Sequence, residues 1–142
     1  MLCLSQKLFD EIFAHCRRQY PKEACGILAG SATPAVPADE LGLAVQVYPM
    51  TNVEDSPIGY AMDPKEQLLI EKQMRQRGER MVGIYHSHTA SAAYPSSVDV
   101  SLAISPDVSY VLVSLQDQAH PAFKSYRIEG QRITEEPVQI DG

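Results

Sequence analysis

The chain is short of positive charge. Twelve Lys and Arg against 18 Asp and Glu leave a formal net charge of −6 over 142 residues. Nucleic-acid binders usually carry a basic footprint, so this composition argues against one. The acidic excess is small and is equally compatible with a basic partner surface or with solubility alone. Cysteine is scarce: Cys3, Cys16 and Cys25 are odd in number and lack CxxC spacing. That argues against a disulfide framework and suggests reduced thiols in a cytosolic protein. No apolar run approaches the ~18 residues of a membrane span. The first residues do not read as a secretory signal, because Gln6, Lys7, Asp10 and Glu11 interrupt the apolar positions and no small-residue cleavage site follows. Repeats and low-complexity segments are lacking too. What is present is an ordinary globular composition, 44% apolar and 21% charged. The length suits one domain, 1–142, with its own core, and a cytoplasmic location away from membranes is expected.

Periodicity places the elements. Leu8, Phe9, Ile12, Phe13 and Cys16 form one stripe of a helix over 5–19, with Ser5 as N-cap and Tyr20-Pro21 as its stop. His15 lies beside that stripe and reads as a surface or packing residue. The glycine-bounded apolar run within 21–30 predicts a buried strand with Glu23 at its mouth. Residues 31–42 are a Pro/Ala-rich loop. Alternation over 43–48 predicts a half-buried strand, 49–58 is irregular, and 59–62 reads as a short strand. Asp63-Pro64-x-Glu66 starts a helix that runs to about Arg77 and ends at Gly78. A strand over 80–85, a short helix over 97–104, a strand over 110–115 and a hairpin of 123–128 with 132–135 follow. His120 falls in a loop, and the tail from Pro137 reads as loosely held. This order of strands and helices predicts an α/β or α+β layered domain.

The chemistry concentrates between His86 and Asp99. His86 and His88 follow the apolar run 80–85, so on a strand both imidazoles face one side. Asp99 sits in the first turn of the following helix. Two His and one Asp make three ligands, and catalytic zinc typically has three protein ligands and an open position for water. The competing reading is structural: Ser96-x-x-Asp99 has capping-box spacing. Glu23 lies 63 residues before His86, and no spacing argument joins them. On composition alone it is one of several solvated acids. Cys25 shares Glu23's strand face and reads as a packing residue.

His-x-His, seven residues, Ser, two residues and Asp resembles the motif of the JAMM metallopeptidases, the active branch of the JAB/MPN superfamily. His86, His88, Ser96 and Asp99 complete it, and Thr89 departs from it where many members have proline. His-Ser-His-Thr with Tyr94-Pro95-Ser96 is similar to the bacterial peptidases that release cysteine from a small sulfur-carrier protein. The resemblance extends over most of the chain. It implies a mixed curved sheet flanked by helices, broadly like the cytidine deaminases. It further implies that Glu23, in Glu23-Ala-Cys-Gly26, is the catalytic general base, that His86, His88 and Asp99 hold one Zn2+, and that Ser96 stabilises the oxyanion. The implied substrate is a ubiquitin-like sulfur carrier of the ThiS/MoaD type, cut after its C-terminal Gly-Gly in cysteine biosynthesis. Such a tail could add to an exposed edge within 43–62. Alternatives are another ubiquitin-like tail or a non-catalytic MPN interaction module; the intact set Glu23, His86, His88, Ser96 and Asp99 opposes the latter. A zinc deaminase needs His-x-Glu and Pro-Cys-x-x-Cys, and neither is in the sequence.

Overall fold

The strand that ends in the two histidines, β4 (Glu79–His88), lies inside a six-stranded sheet. The structure, a computed structural model, describes residues 1–32, 42–54, 57, 59–103 and 105–142. The sheet order is β3-β2-β4-β5-β6-β7, formed by β2 (Cys25–Ser31), β3 (Gln46–Met50), β5 (Ser109–Ser114), β6 (Ala122–Glu129) and β7 (Arg132–Glu136) with β4. Only β4 and β5 pair in parallel within it. A parallel neighbour requires a crossover, and that crossover carries the motif loop and α3 (Ser97–Leu102). The expected α/β mixed sheet with flanking helices is therefore what forms.

Apolar side chains divide between the two faces. Leu8, Ile12, Phe13 and Cys16 of α1 (Gln6–Gln19) pack with Leu28, Tyr85, Val111 and Val113. On the other face Cys25, Ile27, Ala29, Tyr48 and Met50 pack with Met74 of α2 (Pro64–Gln76). Leu112, Tyr126 and Ile128 pack there with Val100 of α3. Full burial of each such aliphatic side chain contributes roughly 1.5–3 kcal/mol. A bulge sits in β4, where Leu28 pairs with Gly83 but Ala29 with Met81, so Val82 is the extra residue. Gly26 pairs with Tyr85, and a Cβ at Gly26 would lie 2.2–2.4 Å from the Tyr85 ring atoms and hydroxyl. Only glycine lets that ring lie across the strand.

Helix ends follow the sequence signals. Ser5 Oγ accepts the Leu8 N–H, and Asp63 accepts the Lys65 N–H. Gly78 follows the Arg77 C-cap at φ +66°, a left-handed conformation that suits glycine.

Four expectations need correction. The tail is not loose: β8 (Val138–Asp141) pairs in parallel with β1 (Leu2–Ser5), and Leu2 and Leu4 are fully buried. Strands of four residues are too short to show a period. The 43–48 strand is displaced to β3, because Leu43 bridges Cys3 instead. Pro49 is tolerated there since β3 is an edge strand among the described residues. Residues 59–62 form no strand, only an Asn52–Met62 bridge. The Asn52 side chain takes the backbone groups of Gly59 and Ala61 in place of a ladder. Finally α3 ends at Leu102, and Ile104 lies outside the described residues, as does most of the 31–42 loop. Among the described residues no helix is long and apolar enough to cross a membrane.

Candidate metal centre and active-site cleft

Alternation along β4 sends His86 and His88 to one side of the sheet. Both are buried, and their Nε2 atoms lie 3.2 Å apart. Asp99 reaches them from the first turn of α3. Its Oδ1 is 3.2 Å from His86 Nε2 and its Oδ2 is 3.1 Å from His88 Nε2. Glu23 arrives from the residues just before β2, where the Cys25–His86 register closes the gap in sequence. Two bonds reinforce that register: Ser87 Oγ accepts the Ala24 N–H at 2.8 Å, and the Ser87 N–H donates to the Ala24 carbonyl at 3.0 Å. A Glu23 oxygen and the two imidazoles offer ligand atoms within 4.8 Å of one another. The histidines therefore belong to two overlapping triplets. The tighter one contains Asp99 and the looser one Glu23. His15 and His120 lie elsewhere: His15 Nδ1 meets the Tyr85 hydroxyl at 2.7 Å, and His120 is exposed beside Asp117.

The donor chemistry fits a cation. His88 Nδ1 lies 2.9 Å from the Ala92 carbonyl, an acceptor only, so Nδ1 carries the proton and donates. In neutral His88 the Nε2 lone pair then faces both Asp99 Oδ2 and the other imidazole nitrogen. Nitrogen and carboxylate oxygen converging at 3.1–3.2 Å repel unless a proton or a cation lies among them. A divalent ion with oxygen and nitrogen ligands satisfies all three at once. The adjoining cleft, about 320 Å³, also contains Glu23 and Glu54, and none of its described lining residues is Lys or Arg.

Burial and charge act in opposition on these groups. Burial disfavours ionised Asp99, but hydrogen bonds and charge from His86 and His88, with the Ser96 N–H, hold its carboxyl well below the usual range. Burial lowers His86. Burial also opposes protonation of His88, yet Asp99 and the Ala92 carbonyl outweigh it and raise the group. Burial pushes Glu23 up to about 7, with Asp99 and Glu54 adding to the rise and His88 opposing it. Cys25 is buried, and its thiol is pushed up to about 12, first by burial. It packs with Tyr48 and Met50.

Ser96 is the N-cap of α3. Its Oγ accepts the Asp99 N–H at 3.1 Å while its own N–H donates to Asp99 Oδ2 at 2.8 Å, a complete capping box. The structural and chemical readings of Ser96-x-x-Asp99 thus coexist: one carboxylate starts the helix and faces both histidines. The Ser96 hydroxyl proton is left for another acceptor, and Ser96 lines the cleft.

With this geometry in view, the profile of the prokaryotic homologues of the JAB domain matches residues 5–129. The chain belongs to that family. It is 44% identical over 140 residues, 99% of this chain and 91% of the other, to the CysO-cysteine peptidase of Mycobacterium tuberculosis. It is 31% identical over 118 residues, 80% of each, to the desampylase of Haloferax volcanii. The solution structure of protein DSY2949 from Desulfitobacterium hafniense superposes with a TM-score of 0.85 at 38% identity, covering 99% of this chain and 93% of that one.

This JAB-family chain surrounds its site with contacts that sequence reasoning did not assign. Tyr60 stacks on His86 with ring centroids 4.5 Å apart. Thr89 Oγ1 donates to the Pro57 carbonyl at 2.9 Å, tying the motif strand to the opposite cleft wall. Three consecutive carbonyls of the motif loop are held from three strands. Ser114 Oγ donates to Ser91, His88 Nδ1 to Ala92, and the Tyr126 hydroxyl to Ala93.

Proposed function

We propose that this chain is a zinc metallopeptidase that hydrolyses the amide bond after the C-terminal Gly-Gly of a small ubiquitin-like sulfur carrier and releases cysteine. The convergence of His86, His88 and Asp99 beside buried Glu23, at one end of a cleft, carries this reading. The likeness to a CysO-cysteine peptidase supports the substrate. We place the reaction in cysteine biosynthesis in the cytoplasm, a location supported by three free cysteines.

His86, His88 and Asp99 would hold Zn2+, which supplies Lewis-acid polarisation of the scissile carbonyl and lowers the pKa of bound water to about 7. Glu23 takes the proton of the attacking water and returns it to the departing amine. Burial, which raises the Glu23 carboxyl, favours its return of the proton after taking it. The Ser96 hydroxyl donates to the oxyanion. The substrate tail adds as a strand along β3, an edge strand among the described residues. That edge runs toward the base, since Met50 pairs with Cys25. Pro57, Gly59 and Ser96 line the cleft that the two glycines would enter.

One feature favours a second reading, cleavage of a lysine-linked conjugate of a ubiquitin-like protein. The cleft offers Glu54 and, among the described residues, no cation, so no opposite charge faces the α-carboxylate of a departing cysteine there. The test is mass-detected cleavage of a Gly-Gly-Cys carrier and of a Gly-Gly-lysine conjugate, side by side. Native, chelator-treated and Glu23→Ala protein are compared. Zinc-dependent loss of one cysteine mass, absent in Glu23→Ala, is the expected result. Turnover by the chelated protein sinks the metal assignment, and faster cleavage of the lysine conjugate selects the second reading. Protein that binds no zinc and cuts neither substrate would be an interaction module.

A further inference from the structure

Asn52 follows β3 and is half-buried. Its Nδ2 donates to the Glu23 carbonyl at 2.9 Å and to the Gly59 carbonyl at 3.0 Å. Its Oδ1 accepts the Glu54 and Ala61 N–H groups, both at 3.0 Å. A primary amide has two donors and an oxygen with two lone pairs, and every one is used. The pattern also fixes the amide's orientation, because a flipped side chain would set oxygen against carbonyls and NH2 against N–H groups. No other neutral side chain of this reach supplies two donors and two acceptors. An aspartate in its place could keep the two N–H bonds and would turn an anion toward the two carbonyls.

The three segments joined here are the ones the chemistry needs in register. Glu23 supplies the base. Glu54, Gly59 and Tyr60 line the cleft, and Tyr60 stacks on His86. Ser87 of the histidine strand grips Ala24, the residue next to Glu23. The backbone of the base is therefore held from one side by the strand bearing two metal ligands and from the other by Asn52.

We infer that Asn52 is a positioning residue, acting through the Glu23 carbonyl to fix the base relative to the cleft wall. This rests on the reading of Glu23 as the base. The test uses the zinc-loaded full chain and a Gly-Gly-Cys sulfur carrier, with kcat and KM measured separately. Asn52→Asp keeps the bonds from Glu54 and Ala61, so those two amides stay protected from hydrogen exchange and KM changes less than kcat. Its kcat falls roughly 10–10²-fold, the scale of a misplacement near 1 Å. Asn52→Ala removes all four bonds, loses that protection, lowers kcat and raises KM. A residue that merely stabilised the loop would leave kcat of Asn52→Asp at the wild-type value, and that result overturns the inference. A kcat loss in both variants that only tracks lost zinc or lost folded protein also overturns it. Failure of the underlying reading is separate: Glu23→Ala would then retain turnover.

Discussion

Ser96 carries two proposed roles, and one pair of substitutions separates them. Ser96→Ala removes the acceptor that caps α3 and the hydroxyl assigned to the oxyanion. Ser96→Gly removes the same hydroxyl but replaces it with a residue that itself starts helices well. The cap in question is the 3.1 Å bond from the Asp99 N–H. Losing a serine cap to alanine costs about 1 kcal/mol, and to glycine only a few tenths of that unit. Losing an oxyanion donor costs roughly 10²–10³ in kcat, or about 2.7–4 kcal/mol of transition-state stabilisation. Urea unfolding of the zinc-free variants should place alanine well below glycine in stability, with glycine near wild type. Cleavage of the Gly-Gly-Cys carrier by the zinc-loaded variants should instead show both slowed to a similar, large extent. The two measurements then rank the variants differently. If Ser96→Gly turns over at nearly the native rate, or if rate follows stability across the pair, the hydroxyl has no part in the reaction and Ser96 is a cap alone.

Other consequences follow from the same structure. Gly26→Ala drives a methyl into the fully buried Tyr85 ring, which cannot move without breaking its bond to His15. Overpacking of this kind costs about 1–3 kcal/mol, visible as a lower denaturation midpoint, and Tyr85→Leu in the same chain should restore part of it; a neutral Gly26→Ala would contradict the packing. Burial, with Arg18 adding, holds the His15 pKa below its ordinary 6.5. The unfolded chain then binds more protons, so His15 favours the fold fully above about 6.5 and loses that contribution as pH falls toward its lowered value. Unfolding free energy measured across this window should fall less steeply in His15→Gln; parallel profiles would exclude it. His88→Ala should purify without zinc by elemental analysis, whereas Glu23→Gln should retain it. Zinc retained by the former would displace His88 from the ligand set.

The legibility of this fold depended on distance along the chain. His86, His88, Ser96 and Asp99 fall within one strand-loop-helix unit, so alternation and capping spacing placed them together before any tertiary information. Ser5, Asp63 and Gly78 marked helix ends for the same local reason. Glu23 was different: only the family resemblance singled it out, because its approach to the histidines depends on the pairing of β2 with β4. Asn52 and Tyr60 were invisible because an isolated Asn or Tyr has no pattern, and the partners that tie them to the site, the Glu23 carbonyl and the His86 ring, are distant in sequence. β1 and β8 escaped because each is only four residues long and their partnership joins distant parts of the chain.

The capping box at α3 has a consequence beyond helix initiation. Asp99 Oδ2 accepts the Ser96 N–H and also faces His88. The torsional freedom that a carboxylate ordinarily surrenders on ligation is already surrendered to the helix, so the proposed ligand is preorganised. With Asp99 as the proposed ligand the two equilibria would be tied reciprocally: fraying of the first turn of α3 would weaken ion affinity, and ion release would loosen that turn. Val98 and Leu102, exposed at the rim of the cleft, ride on that same short helix.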